Sequence, residues 1–391
     1  MSETDNSRMG RHYHTIILGL GAMGSAAAFH LARRRLPVLG LEQFDIPNAL
    51  GSSHGQSRLI RLAYYEHPDY VPLLRRAYEL WKNLEHETRQ TFLHITGGLY
   101  LAASTHELIT GSLRAAKQHH IPHEMLAAHQ IKERFPQFQL RANFVALYER
   151  HAGFLQPEKA ITAHANAAKM HGAELHTREA ALEWSSTGER VTVRTGKETY
   201  TADHLLVTAG PWNARLLPFL EKKISVTRQV MLWFQPLNPQ QFHVGAFPVW
   251  CMATEAHGLV YGPPMLPEDT DPPGLKVSHH YPGDATSPDS VIRTPLPNDA
   301  HVVRNILLSR LPDANGPLLA HRVCLYSNSP DQHFILDQHP DYRNVHFAGG
   351  FSGHGFKFAP VIGEILADLA ATGTTEHPIQ FLRYGRLQHL P

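Results

Sequence analysis

Three glycines spaced Gly19-x-Gly21-x-x-Gly24 follow an apolar run, Ile16 to Leu18, and precede a small-residue stretch from Ser25 to Arg34. A second apolar run, Pro37 to Leu41, ends on Glu42. In such an order Gly19 permits a tight turn, Gly21 lets backbone approach a pyrophosphate, and Gly24 allows close packing of helix on strand. The first turn of the helix offers unpaired N–H groups and a positive dipole end to phosphates, and the acid accepts from ribose hydroxyls. An acid there repels a 2′-phosphate, which argues against NADP and leaves NAD and FAD open. Glycines alone fit any tight turn; strand, turn, helix, strand and acid in sequence make nucleotide binding the stronger reading.

Other residues could do chemistry but say less singly. The polar stretch Pro47 to Arg61 holds His54, Arg58 and Arg61 close behind the nucleotide motif, yet by itself it reads as a surface connector. Cys324 lies in an apolar run, VCLY, where composition alone makes it a buried strand residue. HLLVTAG ends in Ala209-Gly210, followed by Trp212, and small residues there leave room for something flat against the backbone. A second glycine-rich loop, AGGFSGHGFK, carries Gly350, Gly353, Gly355 and Lys357 between a strand and a helix.

Composition narrows the classes. The 391 residues carry 36 Lys+Arg against 35 Asp+Glu, a net +1, so no electrostatic footprint for nucleic acid or an anionic membrane is present and small molecules are the expected partners. Two cysteines do not make a disulfide framework and fit a reducing compartment. The N-terminal stretch has no apolar h-region and no run of about 18 apolar residues occurs, so a cytoplasmic protein is expected. The 29 histidines are scattered without HExxH or CxxC, so no metal site is expected.

The elements that must position these residues follow from periodicity. Val71, Leu73, Leu74, Tyr78, Leu80, Trp81 and Leu84 predict an amphipathic helix; Leu108 to His120, the stretch around Pro157 to Gly172, and Ala359 to Ala371 predict three more. Strand-like runs from about Ser225 to Arg310 alternate with Pro-rich turns and predict an antiparallel sheet. The expected architecture is α/β: a discontinuous nucleotide-binding domain (11–90, 150–225, 320–391) and a second sheet domain (91–149, 226–319).

Taken together, the glycine fingerprint, GSSHGQSRLIR, VCLYSNSPDQHFILD and GGFSGHGFKFAPVIGE resemble the flavoprotein amine oxidases typified by monomeric sarcosine oxidase and N-methyltryptophan oxidase. The likeness runs in order over nearly the whole chain and is weakest from about Pro236 to Leu311. It implies a Rossmann-type FAD-binding domain with an antiparallel-sheet substrate domain, acting as a monomer that oxidises a secondary amino acid with O2. Cofactor contacts are then expected at Gly19, Gly21, Ala22, Met23, Gly24, Glu42, Ser53, His54, Arg58, Ala209, Gly210, Trp212, Gly350, Gly353, Gly355 and Lys357, with the flavin joined covalently to Cys324. The resemblance also implies that Arg61 and Lys357 clamp the substrate carboxylate, that Lys276 assists O2 reduction, and that Tyr326 and His280 face the pocket. A guanidinium fork paired with an ammonium suits a carboxylate, and positive charge near the ring suits developing negative charge.

The chain departs from the family loop Ser-His-His-Gly-Asp-Thr-Arg at Ser53 and at Gln56-Ser57. Cys251 and its neighbours fall where specificity varies, so the amine stays open. A flavin dehydrogenase using another acceptor, an NAD-linked dehydrogenase and a non-catalytic nucleotide sensor are the competing readings.

Overall fold

The computed structural model describes residues 11–389 apart from 255, 257, 268 and 269. An eight-stranded sheet is built on the strands His12–Leu18, Val38–Leu41 and Thr199–Val207, with His12–Leu18 in the middle and parallel to both neighbours. Register brings Leu18 level with Leu41 and Val207. The chain therefore leaves all three strands at one edge, through Gly19, Glu42 and Thr208, the end at which open α/β sheets hold ligands. The apolar run HLLVTAG supplies only the second half of a longer strand, Thr199–Val207. Its first half pairs Val191–Thr195 and its second half pairs Val345–Gly349.

The helix Ala22–Arg33 is buried along nearly its entire length. Helices Pro157–Met170 and Ala359–Thr372 pack against it, and its alanines permit the close approach. A Cβ on Gly363 would stand 2.6 Å from Ala26.

The second large sheet has nine strands. It is antiparallel except where Val249–Thr254 runs parallel to Gly98–Ala103, a pair that the expectation of a wholly antiparallel sheet missed. Leu318–Asn328 pairs along its length with Ser225–Phe234 and so joins this sheet, although the sequence reading begins the last nucleotide-domain segment at 320. A helix not anticipated in the Pro-rich region, His301–Arg310, covers one face. A third, small sheet joins Arg58–Ile60, Gly153–Leu155 and Leu93–Ile95.

Period-two alternation decides which residues of the nine-stranded sheet meet the rest of the chain. Leu232, Phe234, Trp250, Met252, Leu275 and Val277 form an apolar core with Val303, Ile306 and Leu307 of the covering helix. Their alternates, Met231, Trp233, Cys251, Lys276, Cys324 and Tyr326, belong to the other face. That face meets the nucleotide motif. Among the described residues no helix is long and apolar enough to cross a membrane.

Candidate active site

At the carboxyl edge of the parallel strands lies a cavity open to solvent. Gly19, Gly21, Ala22, Met23, Glu42, Ser53, Arg58, Ala209, Gly210, Trp212, Gly353 and Gly355 line it, as does Tyr326. The glycines are there for separable reasons. Gly19 has φ +93°, and a Cβ on it would meet Thr208 and Ala209 at 2.8 Å. A Cβ on Gly24 would stand 1.9 Å from the Gly19 carbonyl oxygen, whereas Gly21 faces open space. Gly24 thus closes the turn from behind and Gly21 leaves room in front.

The Glu42 carboxylate accepts from the backbone N–H of Leu20 at 2.8 Å and of Phe44 at 3.0 Å, which fixes it at the end of its strand. Burial pushes its pKa up, against those hydrogen bonds. The hydroxyls of Ser52 and Ser327, both in residues lining the cavity, are buried without a partner. Backbone N–H groups at a helix start, a fixed acid, an open glycine and unpartnered hydroxyls together fit the pyrophosphate and ribose of FAD.

A smaller recess adjoins this cavity and shares Arg58, Gly353 and Phe356 with it. Arg61, Lys357, His280 and Cys251 line it, with Tyr65, Glu66 and Tyr261. Two cations from residues 296 positions apart in sequence thus reach one recess. Arg61 donates through Nη2 to both Glu66 carboxylate oxygens at 2.6 and 2.7 Å and through Nη1 to the Ala63 carbonyl at 3.1 Å. The Tyr64 and Tyr65 rings stack on it at 4.3 and 4.9 Å. Glu149, fully buried, accepts from the N–H groups of Leu62 and Ala63 and from the Tyr100 hydroxyl, which holds this loop in place.

Lys357 sits in a single turn, Phe356–Phe358, that leads into the helix Ala359–Thr372, and its carbonyl accepts from the Trp81 indole. Burial first, and then the Arg61 charge, bring its pKa down to about 7. The glycines before it are sterically required: a Cβ on Gly353 would stand 2.1 Å from the Tyr326 ring. His280 accepts from or donates to the Tyr326 hydroxyl at 2.9 Å through Nδ1. Burial lowers its pKa to about 3, so it is neutral at working pH.

The loop carrying His54 and Arg58 is pinned from two sides. Glu158 accepts from the N–H groups of Gly55 and Gln56, and the Trp233 indole donates to the Gln56 side chain at 2.7 Å. Lys276 lines neither cavity. Its Nζ donates to the carbonyls of Gly55 and Ser57 at 2.7 and 2.8 Å, beneath the loop, and burial drives its pKa far down. His54 is buried, with Nε2 unpartnered and its pKa lowered to about 3 by burial and by Arg58. Cys324 is 1% exposed and stands behind the cavity wall that Leu325 and Tyr326 form; Arg58 Nη2 lies 3.5 Å from its sulfur. Gly350 lines neither cavity; its φ of +59° turns the chain beside Ile335 and Ser329.

Sequence reasoning missed Glu66, Tyr64 and Tyr65, which follow Arg61 by only three to five residues. A signal was available: an acid and two phenols directly after a buried arginine are suitable partners for it. Among the described residues no three His, Cys, Asp or Glu side chains gather as a metal site.

The FAD dependent oxidoreductase family, DAO, matches residues 14–369. The chain is 42% identical to the monomeric sarcosine oxidase of Streptomyces avermitilis, covering 97% of this chain and 99% of that protein. It is 35% identical to the peroxisomal sarcosine oxidase of Homo sapiens, with 97% of each covered, and 32% identical to the N-methyl-L-tryptophan oxidase of Salmonella dublin, covering 96% and 99%. Among solved structures the fold is similar to NikD, an unusual amino acid oxidase, with a TM-score of 0.84 at 24% identity over 96% of this chain and 98% of that one. A nucleotide cradle matched in place and family, beside a recess holding two cations, leads to one conclusion: the chain belongs to the FAD dependent oxidoreductases of the DAO family.

Proposed function

We propose that this chain oxidises a secondary amino acid, with an N-methyl or cyclic amine, to an imine, and that O2 is reduced to H2O2. The observation that carries the reading is the meeting of Arg61 and Lys357 in one recess that opens onto the nucleotide cavity. Relatives named sarcosine oxidase and N-methyl-L-tryptophan oxidase support it. Bound FAD supplies the acceptor for the two electrons of the C–H bond and their transfer to O2.

The residues of the chain do the rest. Glu66 and Ala63 already occupy part of the Arg61 fork, so the substrate carboxylate meets its remaining N–H groups and the Lys357 ammonium. That fixes the amine end toward the shared wall of the two cavities. The same cations disfavour an ammonium nearby and so favour the neutral amine, whose lone pair the oxidation requires. Neutral His280 and its partner Tyr326 orient that end without adding charge. Arg58, lining both cavities, favours negative charge on the ring side. Lys276, held beneath the same loop by the Gly55 and Ser57 carbonyls, assists O2 reduction, and Cys324 is the attachment point for the cofactor. The released imine hydrolyses, giving formaldehyde from an N-methyl group.

A peroxide-coupled screen of N-methylated and cyclic amino acids tests this reading. Turnover of at least one, and none of the corresponding amines without a carboxylate, is expected; equal turnover of both kinds would remove the carboxylate clamp.

A further inference from the structure

Behind Lys357 runs a chain of hydrogen bonds whose direction is fixed one partner at a time. The backbone carbonyl of Gln332 can only accept, so His354 Nε2, 2.9 Å from it, carries the ring proton. Burial first, and then the Lys357 charge, hold the His354 imidazole neutral. Its Nδ1 is therefore a bare acceptor, and the Tyr64 hydroxyl, 2.6 Å away, is the donor. The other acceptor within reach of that hydroxyl, the His354 carbonyl, is farther at 3.3 Å. Having given its one proton, the Tyr64 oxygen presents lone pairs to Lys357 Nζ at 3.4 Å. Lys357 also donates to the His354 carbonyl at 2.7 Å. Two of the three ammonium protons have protein acceptors, and the third is left for the recess.

We propose that Tyr64 and His354 are positioning residues that hold the Lys357 ammonium toward the substrate carboxylate, with the Gln332 carbonyl setting the polarity of the chain. The proposal rests on the reading of Arg61 and Lys357 as the carboxylate clamp. A phenol oxygen that has donated its proton is a better acceptor, and accepting from the ammonium favours its charged form. Tyr64 is fully buried and His354 nearly so, so water does not substitute for either. The charges that face Lys357 across the recess are Arg61 and Arg58, which disfavour its proton, and Glu66, which favours it; burial pushes the neighbouring Cys251 thiol up to about 12, so it carries no charge there.

The test uses flavin-loaded protein with acetate as the probe. Binding is read from perturbation of the visible flavin absorbance over about pH 6 to 9. Wild-type affinity is expected to be level below a break near pH 7 and to fall above it, as Lys357 loses its proton. Tyr64→Phe moves the break down by about one unit, so acetate binds about tenfold more weakly above pH 7 and converges with wild type at the acid end. His354→Phe shifts the break the same way by less. A packing defect would instead weaken binding by the same factor at every pH. Breaks in both variants that coincide with wild type overturn the proposal, and if Lys357→Met still weakens acetate at least tenfold, the clamp stands without it. Lys357→Met with wild-type affinity removes the clamp and the proposal together.

Discussion

The Arg58 guanidinium lies 3.5 Å from the sulfur of Cys324, and the Ser52 carbonyl accepts from both. Positive charge thus stands beside a sulfur whose anionic form is the nucleophile. If Cys324 is the attachment point, yellow colour stays with wild-type protein after acid precipitation and leaves with the supernatant from flavin-saturated Cys324→Ser. Arg58→Met slows the appearance of acid-stable flavin by about tenfold or more, on the scale of one charge-assisted contact.

Arg61 and Glu66 are a buried pair, 8% and 11% exposed at their side chains. Arg61→Met leaves the Glu66 carboxylate unpaired and destabilises the protein by about 3 kcal/mol or more. The double variant Arg61→Met/Glu66→Gln recovers most of that stability. Substrate affinity, measured as KM with kcat followed separately, stays weak by at least about tenfold in both.

Lys357 has a folded-state pKa of about 7 against an ordinary value of 10.5. Between those values the unfolded chain binds more protons than the folded one, so stability rises with pH over that window. Carboxylate binding needs the charged form and weakens over the same range. Thermal melting against pH is expected to rise more steeply in wild type than in Lys357→Met, while the wild-type KM increases. A melting difference independent of pH contradicts the assignment.

Lys276 holds two loop carbonyls and is proposed to assist O2 reduction. In Lys276→Met, anaerobic reduction by substrate is expected to change by only a few fold, while reoxidation by O2 slows by about a hundredfold, the scale of losing one preorganised donor. Full O2 reactivity in a folded Lys276→Met protein removes that role.

Gly24 and Gly21 separate by what stands opposite them. Gly24→Ala drives a Cβ into the Gly19 carbonyl and is expected to lower the melting temperature and empty the protein of flavin together. Gly21→Ala has space to fold and is expected to keep its melting temperature as apoprotein while losing flavin affinity. Equal effects in the two would contradict the cradle.

What was legible in the chain was local. The glycine turn is readable because its spacing answers contacts within a few residues, and the helix Tyr70–Thr88 because its apolar stripe repeats every turn. The Arg61 and Lys357 meeting came from resemblance, since no local pattern joins residues so far apart. What was not legible depended on long-range pairing. The parallel contact of Val249–Thr254 with Gly98–Ala103 leaves no mark on either segment's alternation. Leu318–Asn328 reads as a strand in any sheet, and only its register with Ser225–Phe234 assigns it. Glu66 was passed over because a lone acid in a polar stretch looks solvated until the arginine beside it is seen to be buried.

The most direct measurement mixes flavin-loaded protein with sarcosine and related N-methyl or cyclic amino acids without air, then admits O2. At least one of them is expected to bleach the visible flavin absorbance, and O2 to restore it with one H2O2 released per substrate consumed. Absorbance that no such amino acid bleaches, or a bleached protein that O2 does not restore, would contradict it.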